Sequence, residues 1–544
     1  MKISFYSKYK LLRDNLKGYK FVLILASVGI ILSSLLIMPI PHINGLIIDI
    51  LIDNKKDFNE FIKLIILTFV LYFLRYIFSV ASKLKMANIS IVLTNSIKMR
   101  MINRAMHFPV KYFDKTDTGY LMSRISESGE IGNLLNSSTL SAISSVFEFI
   151  FSISIIFTIN FKLSIFVLCL IPVCFLLVNI TTRSLRKHLI DVHEANAEVS
   201  TGIFEVFEGI SEVKILNAYN KQENRINSLL DKLKYVLKKQ NKTMVFCSDN
   251  IISFNAIANL IIFAAAGFLI IRGEITIGTY TAFSGYSVKI LGNIQSIASI
   301  KMLVKPASVS MERVIGFLGE EVEDKNGTFI KDFRIENIML ENIDFGYYDC
   351  NVLSNINLKI MPGDRIRIKG VNGSGKSTLI KLLLGFYSVE NGCIYYNDIP
   401  IDSIDRACLR ERIAVVSQNS FLFSGTVFDN IALGCNKKRS EVEKFLIDKG
   451  ISHVLKNFEL GLDTYITAKG DNISGGQRQF VTLIRALLAE RDVIILDEPT
   501  ANMDIKMKKV IADILKVEQM YSIIILISHD EVFEDLSEFR EVFI

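Results

Sequence analysis

The sequence predicts a multidomain fold: an all-α region of six membrane-crossing helices, followed by an α/β domain of the P-loop type. Three observations predict it. Six long apolar stretches fall in the first three-fifths of the 544 residues. From Ile335 onward, short strand-like runs alternate with helix-like ones, the pattern of a parallel sheet covered by helices. Within that second part, Gly370-Val371-Asn372-Gly373-Ser374-Gly375-Lys376-Ser377-Thr378 fits the phosphate-binding pattern G-x-x-x-x-G-K-[ST].

Composition agrees. Half of the residues are hydrophobic and the mean hydropathy is +0.36, high for a chain without a membrane region. Seven cysteines show no C-x-x-C pairing, so they read as buried or free thiols in a reducing compartment. Nucleic-acid binding is one reading of the net charge of +6, but the basic residues lie beside apolar runs, which favours membrane orientation, so no nucleic-acid partner is expected. The N-terminus lacks a short apolar core with a small-residue cleavage site, so no cleaved signal peptide is expected.

The apolar stretches run over residues 20–40, 61–82, 138–159, 162–180, 251–272 and 279–300. Each is long enough to cross ~30 Å of hydrocarbon as a helix. Lys289 and Asn293 interrupt the last. The third and fourth stretches are joined around Asn160-Phe161-Lys162, and the fifth and sixth around Arg272-Gly273-Glu274. The second and third, like the fourth and fifth, are separated by long, charged, helix-like connections such as Lys232 to Lys242. Basic residues crowd the N-terminus and both long connections. The positive-inside rule therefore predicts a multi-pass protein of the cell membrane with these parts and the second domain in the cytoplasm. The expected division is a membrane domain at 1–317, a polar acidic link at 318–334 and a nucleotide-binding domain at 335–544.

The motif dictates local chemistry. Its glycines let the backbone turn so that successive N–H groups point at a β-phosphate. Lys376 offers a point charge to the β- and γ-phosphates, and Ser377 a hydroxyl to Mg²⁺. A strand-like run, Asp364 to Lys369, precedes it and a helix-like run, Ser377 to Gly385, follows, which seats phosphates on a helix N-terminus. A glycine-rich turn without a ligand is the plain alternative, outweighed by a partner motif downstream. That partner is Val493 to Glu498, an apolar strand ending in two acids and suited to burial on both faces. Asp497 is placed to hold Mg²⁺ and Glu498 to polarise the attacking water.

Just before that strand, Asn472-Ile473-Ser474-Gly475-Gly476-Gln477 closely resembles the L-S-G-G-Q signature of the ATP-binding cassette (ABC) family, with Ile473 for Leu. Other elements match in order. Tyr347 stands where the family has an aromatic that stacks on adenine. Gln418 looks like the Q-loop glutamine, which senses Mg²⁺ and faces the membrane domain. Asp504 fits the D-loop, and His529, after the apolar run Ile523 to Ile527, fits the switch histidine that contacts the γ-phosphate. The remaining histidines carry no partner pattern and read as structural. Six helices followed by one cassette resemble the half-size type IV exporters. That resemblance implies ATP and Mg²⁺ as cofactors and an ATPase coupled to transmembrane movement. It also implies a dimer, homodimeric or heterodimeric, in which P-loop and signature meet head to tail. The exported substrate, a peptide, lipid or drug-like amphiphile, is not named by the sequence. A lipid or lipid-linked-sugar flippase is the alternative, and an ATP-gated regulator a further one. Phe113 to Arg124 looks like the family's first coupling helix and its flank; Glu208 to Lys214 with Asn217 to Asn224 resembles the approach to the second, which docks on the partner's cassette.

Several residues depart from the family. Thr467 and Ala468 replace the Gly and Glu of the X-loop, which removes a coupling contact. Arg367 and Lys369 interrupt a strand that should be apolar; a locally exposed edge is the plain expectation. The family usually continues well beyond His529, while this chain stops at Ile544. No cysteine-protease-like domain precedes the first apolar stretch, which disfavours a leader-cleaving peptide exporter. Inside the membrane stretches, Arg75 and Glu148 should face each other or the substrate path. Asn255 with Asn259, and Lys289 with Asn293, share helix faces at i, i+4, as helices lining a wet pathway or glued by polar contacts would.

Overall fold

The computed structural model describes residues 5–544 apart from 53–56, 324–326, 329, 331, 348–349, 372, 419, 436, 502, 518–522 and 534–538. The chain divides into two compact units, Met1–Met106 with Thr118–Glu320, and His107–Asp117 with Glu321–Ile544.

Among the described residues the regular structure of the first unit is all helical. Five of its segments are long and apolar enough to cross a membrane, Lys17–Ile52, Phe58–Ala105, Thr118–Ile159, Phe161–Glu208 and Tyr219–Ile271. The sixth expected stretch does form a helix, Ile277–Leu318, but it falls short of their apolarity. Lys289, Asn293 and a run of hydroxyls dilute it. The helices overrun the apolar stretches by far. Phe58–Ala105 has 48 residues, roughly 72 Å at helical rise, more than twice the hydrocarbon thickness. Side-chain caps set the starts: Asp57 accepts from the N–H groups of Asn59 and Glu60, Asn160 from Leu163, and Thr276 from Thr279.

The first stretch is broken. Helix Lys20–Leu36 ends and helix Ile40–Ile52 begins around Pro39 and Pro41, which cannot continue a hydrogen-bonded turn. The break frees carbonyls in a place without bulk water, and side chains from the last helix take them. Tyr286 donates to Met38 O at 2.5 Å, and Lys289 Nζ to Ile37 O at 3.0 Å. Below the break Gly45 and Gly278 let the backbones touch, since a Cβ built on Gly278 would lie 2.1 Å from Gly45 O. Asp49 completes the junction by accepting from Gly278 N–H at 2.8 Å. Asn255 and Asn259 do stand one helical turn apart, and their Oδ1 atoms, like Asn293 Nδ2, are buried without a partner among the described residues.

In the second unit the strands run in chain order as β1 (Ile338–Tyr347), β2 (Cys350–Ile360), β3 (Arg365–Lys369), β4 (Asn391–Tyr396), β5 (Ile399–Pro400), β6 (Ile413–Val416), β7 (Gly425–Thr426), β8 (Tyr465–Ile466), β9 (Val493–Asp497), β10 (Ile523–Ile527) and β11 (Arg540–Phe543). The sheet β11-β3-β10-β9-β6 is parallel, with Ile527 opposite both Ile368 and Asp497. The sheet β2-β1-β4-β5 is antiparallel. Every residue of β9 and β10 is buried, as continuous apolar runs require.

Alternation along these strands separates two cores. Ile494, Leu496, Ile524 and Leu526 pack with helix Gly475–Leu488 through Phe480, Leu483 and Leu487. Val493, Ile495, Ile525 and Ile527 pack with helix Lys376–Leu383 through Leu379, Leu382 and Leu383. Because side chains of a strand point alternately to opposite faces, these two helices lie on opposite sides of the sheet.

The strand carrying Arg367 is no edge. β3 lies between β11 and β10, and Arg367 is 3% exposed. Lys369, nearer the strand end, pairs with Glu541 of β11 at 2.5 Å. The exposed-edge expectation is therefore overturned, and Arg367 needs another account.

Candidate functional site

The P-loop leads from β3 into helix Lys376–Leu383. Gly373 and Gly375 stand at φ +88° and +94°, left-handed conformations that admit glycine without strain. A Cβ on Gly375 would also lie 2.6 Å from Leu353 Cδ2. No side chain caps this helix, so its first N–H groups stay open to an anion. Lys376 Nζ donates to the carbonyls of Gly370 at 2.6 Å and Val371 at 3.1 Å, which holds the ammonium against the loop. Ser374 Oγ is buried without a partner among the described residues. Thr378 turns inward and is buried. Asn372 lies outside the described residues.

β9 delivers the acids beside the loop. Ser377 Oγ donates to Asp497 Oδ2 at 3.1 Å. Burial pushes the Asp497 carboxyl above its ordinary range, against the opposing pulls of Ser377 and Lys376. Burial raises Glu498 too; His529 draws it back, while Asp497 and Asp530 add to the rise. Glu498 sits at φ +49°, a strained conformation for a residue with a Cβ. It is held there from both sides: its N–H donates to Ile527 O at 2.8 Å, and Gln479 donates to its carbonyl at 3.1 Å.

His529 follows β10 and is exposed. Its neighbours are tied down: Thr500 Oγ1 and Lys508 both bond the Asp530 carboxylate, Lys508 at 2.6 Å. Arg367 explains itself here. From the middle of β3 its guanidinium reaches the carbonyls of Ser528 (3.3 Å), Asp530 (3.4 Å) and Phe533 (3.4 Å), bracketing His529. A buried cation without a carboxylate partner among the described residues thus clamps the backbone of the segment that presents the histidine. Its mid-strand charge was the visible signal, though its target was not.

The signature occupies the start of helix Gly475–Leu488. Ser474 Oγ accepts from Gln477 N–H at 3.2 Å and Gln477 Oε1 from Ser474 N–H at 2.8 Å, a reciprocal capping box. Gly475 and Gly476 extend this open N-terminus. The segment before it is tied by Asn472, whose Oδ1 accepts from Thr467 N–H at 2.9 Å and whose Nδ2 donates to Tyr465 O at 2.8 Å. Ala468 makes the first residue of a short 3₁₀ turn and is exposed.

Tyr347 ends β1 in a ring cluster, edge-on to Phe345 at 5.1 Å and to Tyr387 at 5.3 Å. Lys381 lies over Tyr347 at 5.6 Å and Tyr387 at 5.7 Å. The same Lys381 pairs with Asp114 of helix Val110–Lys115 at 3.4 Å, and Tyr387 Oη also donates to Asp114. This short helix belongs to the second unit, and a cleft of about 660 Å³ beside Tyr347 is lined from both parts. Gln418 follows β6 and is exposed. Asp504 caps helix Ile505–Val517, accepting from Met507 N–H at 2.7 Å. The structure thus brings Ser377, Asp497, Glu498 and His529 together, and sets Ser474 to Gln477 on the helix across the sheet.

Among the described residues no three His, Cys, Asp or Glu side chains converge as a cation cage. Two protein oxygens, Ser377 Oγ and Asp497 Oδ2, suit Mg²⁺, which takes its other ligands from phosphates and water.

A glycine-turned loop at a bare helix N-terminus, with paired acids at the end of β9 beside it, defines a nucleotide-binding ATPase joined to a multi-pass membrane region. The chain belongs to the ABC transporter family: residues 23–294 match the ABC transporter transmembrane region and 353–501 the ABC transporter ATPase model. It is an ATPase coupled to transport. It is 28% identical over 493 residues to a lactococcin-G-processing and transport ATP-binding protein of Lactococcus lactis, covering 89% of this chain and 69% of that one. It is 26% identical over 538 residues to the ATP-dependent lipid A-core flippase of Escherichia coli K12, covering 97% and 91%. A transport/processing ATP-binding protein of Streptococcus pneumoniae is 27% identical, over 82% of this chain and 63% of the relative.

Proposed function

We propose that the chain is one half of a homodimeric exporter, in which ATP binding and hydrolysis move a peptide, lipid or drug-like amphiphile across the cell membrane. The observation that carries the dimer is the placement of two anion-facing helix starts, at Lys376 and Gly475, on opposite sides of one sheet. Neither reaches the other's phosphate within a chain, so two chains placed head to tail make two sandwiches. A heterodimer would use the same geometry. Residues 1–317 form the membrane domain with six crossings, 318–334 the link and 335–544 the cassette, with the N-terminus and cassette cytoplasmic.

Each residue then has a task. The backbone of Gly370 to Gly375, with Asn372, Ser374 and Thr378, cradles the phosphates, and Lys376 charges them. Tyr347 stacks on adenine. Ser377, Asp497 and Gln418 hold Mg²⁺, which supplies charge neutralisation at the phosphates. Glu498 accepts the proton of the attacking water, and His529 hydrogen-bonds the γ-phosphate. Ser474, Gly475, Gly476 and Gln477 meet the partner's γ-phosphate, with Asp504 at the dimer seam. Exposed Phe207 (69%), Ile215 (74%) and Leu216 (70%), around the turn before Tyr219, support a docking face for the partner's cassette.

The near end-to-end match to a lipid flippase favours a second reading, lipid flipping by the same machinery. Substrate-stimulated ATPase in proteoliposomes, across a panel of lipids, peptides and drug-like amphiphiles, separates the two. Stimulation by one class with ATP-dependent movement of that class fixes the function. ATP turnover that no member of the panel alters, with no movement, would refute export.

The clamp on the switch segment carries its own prediction. Arg367→Met should lower kcat for ATP roughly 10- to 100-fold, since misplacing a catalytic group costs that much, with KM for ATP nearly unchanged. Its melting temperature should fall by a few degrees, because the carbonyls of Ser528, Asp530 and Phe533 lose their donor, so kcat is read per folded protein. Arg367→Lys should recover part of the rate. Equal kcat in Arg367→Met and wild type would show that the clamp does not position His529.

A further inference from the structure

Asp530 directly follows His529, and each of its polar groups is engaged. Its N–H donates to Ser528 Oγ at 3.1 Å, and its carbonyl accepts from Arg367 at 3.4 Å. One carboxylate oxygen accepts from Thr500 Oγ1 and the other from Lys508 Nζ at 2.6 Å. The Lys508 and Asp530 side chains are 18% and 21% exposed, so solvent and salt screen this pair less than one at the surface.

The two partners of that carboxylate flank one turn. Thr500 is fully buried and lies two residues past Glu498. Ala501 N–H donates back to Glu498 O at 3.3 Å, and Met503 N–H to Thr500 O at 3.1 Å. Lys508 lies one helical turn past Asp504, and its N–H donates to Asp504 O at 2.9 Å. One carboxylate beside His529 therefore grips the stretch from Glu498 through Asp504 near both of its ends. Arg367 holds the histidine segment by its backbone from β3. Asp530 instead fixes that segment relative to Glu498. A pair that served stability alone would need only Lys508. The buried Thr500 hydroxyl, between Glu498 and Asp504, adds alignment, because a hydroxyl-to-carboxylate bond is short and directional.

We propose that Asp530 is a positioning residue for ATP hydrolysis, setting His529 and Glu498 as one unit and tying both to the turn of Asp504. This role rests on the reading of Glu498 and His529 as the groups that act on the attacking water and the γ-phosphate. Without the carboxylate both groups are still present, but their spacing is no longer held. Such a displacement slows the chemical step and leaves ATP binding intact.

The test is steady-state ATPase of the full chain in nanodiscs against ATP concentration, with rates per folded protein. Asp530→Ala should lower kcat about 10- to 100-fold, the cost of displacing a group by roughly 1 Å. KM should stay nearly unchanged, so kcat/KM falls by the same factor. Thr500→Val and Lys508→Met, which each remove one partner and leave the carboxylate, should each give part of that loss. Thr500→Ser, which keeps the hydroxyl, should retain most of the rate. Lys508→Met added to Asp530→Ala should cost nothing further, because the two act as one unit. The charge-exchanged double variant, Asp530→Lys with Lys508→Asp, should turn over faster than Asp530→Lys alone. Wild-type kcat in Asp530→Ala, with only a lowered melting temperature, would make the cluster a stabilising staple and overturn the role. Should Asp530→Ala not fold, wild-type kcat in both Thr500→Val and Lys508→Met overturns it equally. A raised KM at unchanged kcat would place Asp530 in nucleotide binding and also overturn it. His529→Ala separates the two readings. If it abolishes turnover while Asp530→Ala does not, the positioning role fails and the site stands; if it turns over normally, the site reading itself fails.

Discussion

Glu498→Gln should cut steady-state ATP turnover by about 10²–10⁴-fold, the usual worth of a positioned general base, while ATP still binds and the closed dimer accumulates. The geometry makes this a sharp expectation. Glu498 is held through its backbone by Ile527 O and Gln479 in a left-handed conformation, which fixes the point at which its side chain leaves the strand end. Burial, with Asp497 and Asp530 nearby, already raises its carboxyl, which brings the base closer to neutral pH where proton transfer is efficient. The sign for stability follows. A carboxyl raised in the folded state stabilises the fold only at acid pH, and that contribution is lost as pH rises through its folded value. At neutral pH the ionised Glu498 is therefore a burden, which glutamine does not carry. The variant should melt no lower than wild type, and wild-type ATPase should rise with pH through the acid range. Near-normal steady-state ATPase in Glu498→Gln would sink the assignment.

Much of this was legible because each motif is local and each membrane helix repeats one chemistry. A helix N-terminus needs only a few glycines and a lysine, so residues 370–378 specify it in sequence. β9 and β10 announced themselves as unbroken apolar runs because both faces are covered. Contacts between distant residues were not legible. Arg367 looked like an exposed-edge residue, because nothing in its own strand tells that three carbonyls more than 160 residues away await it. The strain at Glu498 is likewise invisible in Leu496-Asp497-Glu498, since it arises from β10 and Gln479. Asp504 was read as the D-loop acid, and the structure adds a local duty as a helix cap. The sixth apolar stretch was the least regular for a reason now apparent: its polar residues serve the broken first helix.

Ser474→Arg should abolish ATP turnover, whereas Ile473→Leu should change it less than about 3-fold, worth roughly 0.6 kcal/mol. Ile473 is partly buried and packs on the core under the helix, where an Ile-to-Leu swap of equal volume is mild. Ser474 is exposed at the start of helix Gly475–Leu488, the point that must approach the partner's phosphate. An arginine there fills the anion site and removes the reciprocal cap with Gln477. The cap alone is worth about 1 kcal/mol, and Ser474→Ala measures that part separately: it should lower the melting temperature slightly and keep measurable turnover. Occlusion then tests the head-to-tail sandwich directly. With Glu498→Gln in both chains, the Ser474→Arg homodimer should occlude no ATP, and neither should a Lys376→Met homodimer. A dimer of one Ser474→Arg and one Lys376→Met chain places both lesions in the same sandwich and leaves the other intact. It should therefore occlude about one ATP per dimer, the stoichiometry that two cross-subunit sites dictate. No occluded ATP in that mixed dimer would mean that P-loop and signature act within a single chain, against their placement on opposite faces of the sheet.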